Sequence, residues 1–332
     1  MERVRLGATG MSVSRFGFGT MTLGDPLDLD GAFEILDKVY DRGINLLDTA
    51  NTYTGGRSEE MLGAWIQKRG VRDEVILSSK VRYPVGRDRK TAGLNPSVIS
   101  REIEASLKRL KTHYLDIYYL HQPDDDTPID VTWRCLESLI DRGLVRAVGL
   151  SNFAAWQVAK IHEMVIPRGW SRPLVMQPMY NLIARSLEAE FFPMTREYDL
   201  ANCVYNPLAG GLLTGKHRGG QAESGSRLDR NQYYRKRYWH PRLIEASEKL
   251  EDFAKSKGRS LIELSLRFVL DRPEATTVLL GATKPEQLDG PFAALEANTL
   301  SPEENDFCDR VWEELRGPIP RYHRNNADAS LH

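Results

Sequence analysis

Cysteine is scarce in this chain: Cys135, Cys203 and Cys308 lie scattered through 332 residues without metal-ligand spacing. That argues against a disulfide framework and a structural zinc site, and no other metal is expected. Charge of one sign is lacking as well. Forty-five lysines and arginines face 46 aspartates and glutamates, a formal net charge of −1, which is too balanced for a broad nucleic-acid footprint. The local run RKRYWHPR (235–242) reads as a solvated loop in preference to a phosphate patch. No apolar run approaches a membrane span, and the opening MERVRLGATG has no apolar signal region, so a cytoplasmic protein without a membrane partner is expected. Also missing is a G-x-G-x-x-G between a strand and a helix, without which a Rossmann reading fails.

What remains is ordinary globular material, 41% hydrophobic and 27% charged, able to bury a large core. By length alone two domains would be the prior, but single α/β barrels reach this size. Strands and helices alternate. VSRFGFGTM precedes a helical pattern over 30–42; Gly43 stops it and INLLD begins a strand. A helix over 58–68 leads to VILSSK, and one over 95–110, opened by Asn-Pro, leads to LDIYYL. A helix over 130–141 precedes VRAVGLSN, one over 154–165 precedes LVMQ, and one near 187–197 precedes ANCVYN. Helix 260–271 and TTVLLG close a series of eight β/α units. The reading is therefore α/β, a (β/α)8 TIM barrel forming one domain over 1–332. Outside the repeat, VRLGATGMSVS looks like an N-terminal hairpin plugging the barrel bottom, and a helix over 302–315 and the tail PIPRYHRN end the chain. Segment 216–240 has no convincing periodicity and is too long for a passive connector, so a functional loop or ordered lid is expected there.

Four polar residues stand out against this frame. Asp48, Lys80 and His121 each end or directly follow an apolar strand-like run, and Tyr53 lies in the loop after the first. Each alone has a bland explanation as a cap, a surface ring, a solvated charge or a satisfied histidine. Together, an acid, a phenol, an ammonium and an imidazole on one side of successive parallel strands are hard to explain as packing, because charge placed there costs free energy unless paired or used.

In order and spacing, GFGTM, NLLDTANTY, LSSK, YYLHQPD, VRAVGLSNF, MQPMYN, VYNPLAGGLLTGK and LLGATKPEQL resemble the aldo-keto reductase family, closest to the branch of bacterial general reductases and potassium-channel beta subunits. The resemblance implies a site at the C-terminal ends of the strands and an extended nicotinamide cofactor, NADPH/NADP+ in preference to NADH, acting on a small-molecule carbonyl substrate. It makes Tyr53 the general acid. A phenol's pKa near 10 is high for that task, so Lys80 is expected to lower it, Asp48 to hold Lys80 charged, and His121 to orient the carbonyl oxygen as a neutral donor.

The same resemblance implies the cofactor contacts. Ser151, Asn152 and Gln177 would hold the nicotinamide amide, and Tyr205 would stack on its ring. Thr20, Met21 and Asp48 would lie near the ribose and nicotinamide. Leu208, Gly210 and Gly211 would let backbone approach the pyrophosphate, with Lys216 and Arg227 adding charge. Gly281, Thr283 and Lys284 would receive a 2′-phosphate, and Gln287 would lie against the adenine. Gly290 and Pro291 stand where relatives carry an acid and an asparagine, which implies a looser grip on the adenine. A regulatory or channel-associated subunit that senses nucleotide is the rival reading, and the sequence leaves a homo-oligomer open.

Overall fold

The computed structural model describes residues 1–319. Strands β1 (Arg3–Arg5) and β2 (Ser12–Ser14) pair antiparallel, Arg3 opposite Ser14, and form the expected hairpin. Leu6 and Val13 are fully buried in a small cluster with Leu46, Ile117, Val175 and Leu279. These side chains come from strand interiors, so the hairpin does close one end of the barrel.

The eight barrel strands are β3 (Phe16–Gly19), β4 (Leu46–Asp48), β5 (Ile76–Val81), β6 (Leu115–Leu120), β7 (Val145–Ser151), β8 (Val175–Gln177), β9 (Ala201–Val204) and β10 (Thr277–Leu280). All neighbours are parallel, and pairing of β9 with β10 and β10 with β3 closes the ring. Parallel strands require crossovers, supplied by α1 (Leu29–Asp41), α2 (Arg57–Arg69), α3 (Pro96–Leu110), α4 (Ile129–Asp141), α5 (Ala155–Val165) and α6 (Phe191–Glu197). Local chemistry sets their starts: the Asp28 carboxylate accepts from Gly31 N–H at 3.0 Å and the Asn95 amide oxygen from Val98 N–H at 3.1 Å.

The last crossover holds more helix than expected. Segment 216–240 holds two short helices, α7 (Arg227–Arg230) and α8 (Gln232–Tyr238), capped by Ser226 and Asn231. Two turns are too short to show a 3.6-residue period, which is why the sequence reads as irregular there. Then come α9 (Pro241–Ser256) and α10 (Leu261–Leu270). Helix α9 escapes the sequence reading because its buried stripe is built largely of small residues, Ala246, Ser247 and Ala254 around Leu250. Helices α11 (Asp289–Glu296) and α12 (Pro302–Arg316) follow β10, and Ser301 and Glu304 cap α12 reciprocally.

One glycine shows how tightly the barrel interior is filled. A Cβ on Gly149 of β7 would overlap the Tyr119 ring and come 2.9 Å from the Val175 carbonyl oxygen. Gly149→Ala should therefore destabilise the protein by about 1–3 kcal/mol through overpacking, read as a lowered urea midpoint with unchanged m-value. An unaltered midpoint would mean that the interior has slack.

Candidate active site

The strand register brings the titratable residues to one end. Asp48 closes β4, Lys80 is next to last in β5, and His121 follows β6 directly; Ser151 and Gln177 end β7 and β8. Within β5 the side chains alternate, so Ser78 and Lys80 share the inward face while Ser79 points out toward α2. Asp48 collects three donors: Lys80 Nζ at 2.5 Å, Ser78 Oγ at 2.6 Å and Gln177 Nε2 at 2.9 Å. Lys80 Nζ also donates to the Thr49 carbonyl at 2.8 Å and lies 3.4 Å from the Tyr53 hydroxyl.

Tyr53 heads a tight turn in which Thr54, Gly55 and Gly56 all take positive φ. The Thr52 and Thr54 hydroxyls fasten that turn to the carbonyls of Pro84 and Leu23, each at 2.8 Å. The Tyr53 and His121 rings meet edge to face at 5.8 Å, and Tyr83 meets His121 from another side at 4.9 Å. The tetrad expected from the sequence is thus assembled.

Its electrostatics differ from expectation in one respect. Burial, and then the Asp48 charge, push the Tyr53 phenol well above its ordinary value, with Arg227 pulling the other way. Lys80 was expected to depress it, yet burial and the charge of Asp48, which also pairs with that ammonium at 2.5 Å, win at the phenol. Tyr53 is therefore held as a protonated donor. Burial lowers Lys80, while Asp48 opposes the shift by charge and hydrogen bond. His121 is pushed well below its ordinary value by burial and then by Lys80, so its imidazole is neutral, and its buried Nδ1 has no partner among the described residues.

The residues expected around a nicotinamide amide also gather, but they bond to one another. Ser151 Oγ donates to the Gln177 carbonyl at 2.9 Å; Asn152 Nδ2 donates to the His121 carbonyl at 2.8 Å, and its oxygen accepts from Tyr205 at 2.7 Å. Thr20 is fully buried, its hydroxyl committed to Asp48 O and Ser58 Oγ; of that pair only Met21 keeps open surface.

Farther along the groove, Ala209, Gly210 and Gly211 take positive φ in succession after Leu208. The lid is seated here, since a Cβ on Gly210 would lie 2.6 Å from the Tyr234 ring. Arg227 stacks on Tyr234 at 5.0 Å and sits 4.0 Å from where a Cβ on Gly281 would lie. Lys216 pairs with Glu223 at 3.2 Å. Beyond β10, Thr283 N–H, Thr283 Oγ1 and Lys284 N–H all converge on one oxygen, that of Gln287, at 2.8, 3.2 and 3.3 Å. Gln287 therefore sits in the donor cradle itself. Gly290 and Pro291 lie inside α11, Pro291 buried and Gly290 against Ile262.

These features suit a phosphate-bearing dinucleotide. The turn after Leu208 runs through three successive positive-φ residues, Arg227 pairs with no carboxylate among the described residues, and the donors around Gln287 already gather on a single acceptor. The sequence reading missed Ser78, which could have been found from its two-residue spacing to Lys80. Residues 320–325 of the tail lie outside the described residues.

A closed parallel barrel with buried ionisable groups at the C-terminal ends of its strands belongs to the class of TIM-barrel enzymes. The profile of the aldo/keto reductase family matches residues 15–313, and the chain belongs to that family of oxidoreductases. It is 35% identical to the Bacillus subtilis aldo-keto reductase YhdN, over 97% of this chain and 99% of that protein. It is 34% identical to the rat aflatoxin B1 aldehyde reductase member 2, over 92% and 86%. A probable voltage-gated potassium channel subunit beta from rice is 32% identical, over 94% and 96%.

Two measurements test the electrostatics. Lys80→Met would strand Asp48 and should cost about 3–5 kcal/mol, whereas Lys80→Met with Asp48→Asn should cost less than the sum of the single changes; additive losses in chemical denaturation would show that the two are uncoupled. Because folding lowers the His121 pKa below 6.5, the unfolded chain binds more protons just below that pH, and stability should fall as pH drops from about 6.5 toward the lowered folded value. The acid limb of the stability–pH curve should be shallower in His121→Asn; identical limbs would rule out a neutral buried imidazole.

Proposed function

We propose that this protein is an NADP-dependent reductase of aldehydes or ketones with Tyr53 as the general acid. The observation that carries the reading is the convergence of the Tyr53 phenol, the His121 imidazole and the Asp48-paired Lys80 ammonium at one end of the barrel. The nicotinamide, when bound, supplies the hydride to the carbonyl carbon. Tyr53 gives its hydroxyl proton to the carbonyl oxygen as the C=O bond becomes C–OH. Lys80, 3.4 Å away, stabilises the phenolate left behind, and Asp48 keeps that ammonium aimed. His121, neutral, donates to the carbonyl oxygen and fixes its direction; Tyr83 braces the imidazole. Arg227 and the donors near Thr283 and Lys284 would hold phosphate groups, the latter once Gln287 swings aside.

Oxidation of NADPH, followed optically over a panel of aldehydes, sugars and ketones, tests this reading. Rapid turnover on any of them supports it; tight nucleotide binding with negligible turnover on all would favour a regulatory or channel-associated subunit, and the rice relative carries the name of a probable channel subunit. No helix among the described residues is long and apolar enough to cross a membrane, and a cytoplasmic place fits the proposed substrate class.

Tyr53→Phe keeps the ring and removes the proton, so turnover should fall by about two to four orders of magnitude while NADPH affinity barely changes; near-normal turnover would remove Tyr53 from the role. Lys284→Ala, alone or with Arg227→Ala, should weaken NADPH more than NADH, since only NADPH carries the phosphate that the cation would pair. Equal losses measured by isothermal titration would place these cations elsewhere.

A further inference from the structure

His217 is not used by any step above, yet it is 2% exposed and beside the left-handed turn that follows Leu208. Its Nδ1 accepts from Glu223 N–H at 3.2 Å, which leaves the proton of the neutral ring on Nε2. That Nε2 is buried and has no partner among the described residues. A Cβ on Gly211 would lie 3.8 Å from His217 Nε2 and 3.6 Å from Lys216 Cε, so the imidazole and the lysine share one flank of the turn. Glu223 ties them together, bonding His217 through its backbone and Lys216 through its carboxylate. Trp239 closes the other side, edge to face with the imidazole at 5.7 Å. Burying a donor without an acceptor is unfavourable, and the ring is fixed too firmly to turn away.

We propose that His217 is a further dinucleotide-binding residue, its Nε2–H donating to a diphosphate oxygen carried on the 208–211 turn while its Nδ1 pins the start of the lid. The inference rests on the nucleotide reading above and extends it to a residue whose charge is not needed. Lys216 already shares its charge with Glu223, so a neutral, immobile donor adds direction that a paired ammonium cannot. Because the diphosphate is common to NADPH and NADH, His217 should serve both equally, unlike Lys284.

Isothermal titration of the full chain with NADPH and with NADH, beside thermal melts of the nucleotide-free protein, tests the assignment. His217→Phe keeps a ring against Trp239 but removes both the Nε2–H donor and the Nδ1 acceptor of Glu223 N–H; both affinities should fall by the same factor, about tenfold, with at most a small fall in melting temperature. His217→Gln, which restores an N–H, should recover most of the loss and guards against a Phe variant that packs badly. Unchanged affinities in His217→Phe, or a loss confined to NADPH, would overturn the inference, as would a fall in melting temperature that His217→Gln shares without any change in binding. Wild-type protein that bound neither nucleotide would overturn the cofactor reading and this inference with it, whereas tight wild-type binding matched by His217→Phe would remove only the inference.

Discussion

The ion pair between Lys80 and Asp48 is the constraint on which the site depends. The lysine side chain is 0% exposed and the aspartate 4%, and withdrawing two such charges from water costs several kcal/mol per ion. Their attraction offsets that only if the remaining lone pairs and protons are also satisfied. Here they are: Asp48 accepts from Ser78 and Gln177, and Lys80 donates to Thr49 O. In the closed strand order β4 and β8 lie four strands apart on either side of the eight, so the Gln177–Asp48 bond reaches across the interior from opposite walls. An open sheet would leave Asp48 one donor short.

Beside this pair stand the other two groups. Burial is the largest influence on both, since desolvation favours the uncharged form of a phenol and of an imidazole; the Asp48 charge adds to the shift of Tyr53 and the Lys80 charge to that of His121. Tyr53 stays protonated and His121 stays neutral for the same reason. Two hydrogen-bond donors then face the cavity without a net charge that would compete with water for them. The lid adds to the dryness: Tyr234 covers Gly210 and Arg227 reaches toward Gly281.

The fold and the tetrad were legible in the sequence because both rest on short-range patterns. Apolar runs ending in Asp48, Lys80 and His121 mark strand ends, and parallel strands of a barrel must bring those ends together. What escaped has physical causes of equal simplicity. Helix α9 buries mainly small residues and shows a weak stripe, and α7 and α8 are shorter than the window in which a period can be seen. The direction of the Tyr53 shift was misjudged because its largest cause, burial of the phenol, follows from tertiary packing that the sequence does not display. Thr20 matched a cofactor contact in the family pattern, yet its hydroxyl is spent on Asp48 O and Ser58, an engagement that only tertiary packing creates.

The alternation of β5 joins these levels. Ser78 and Lys80 point inward to Asp48, while Ser79 points outward to Glu59 at 2.5 Å, itself paired with Arg109 at 2.6 Å. Asn51, in the loop that carries Tyr53, reaches Glu102 on the neighbouring helix α3 at 3.0 Å. Polar networks therefore grip the strand from both faces, one inside the barrel and one between barrel and helices. A slip of one residue would turn Lys80 toward the helices and leave Asp48 without its cation, so the register that satisfies the buried charges is also the one that aims the ammonium at the phenol. The stability of the buried charges and the geometry of the site are thus selected by the same pairing.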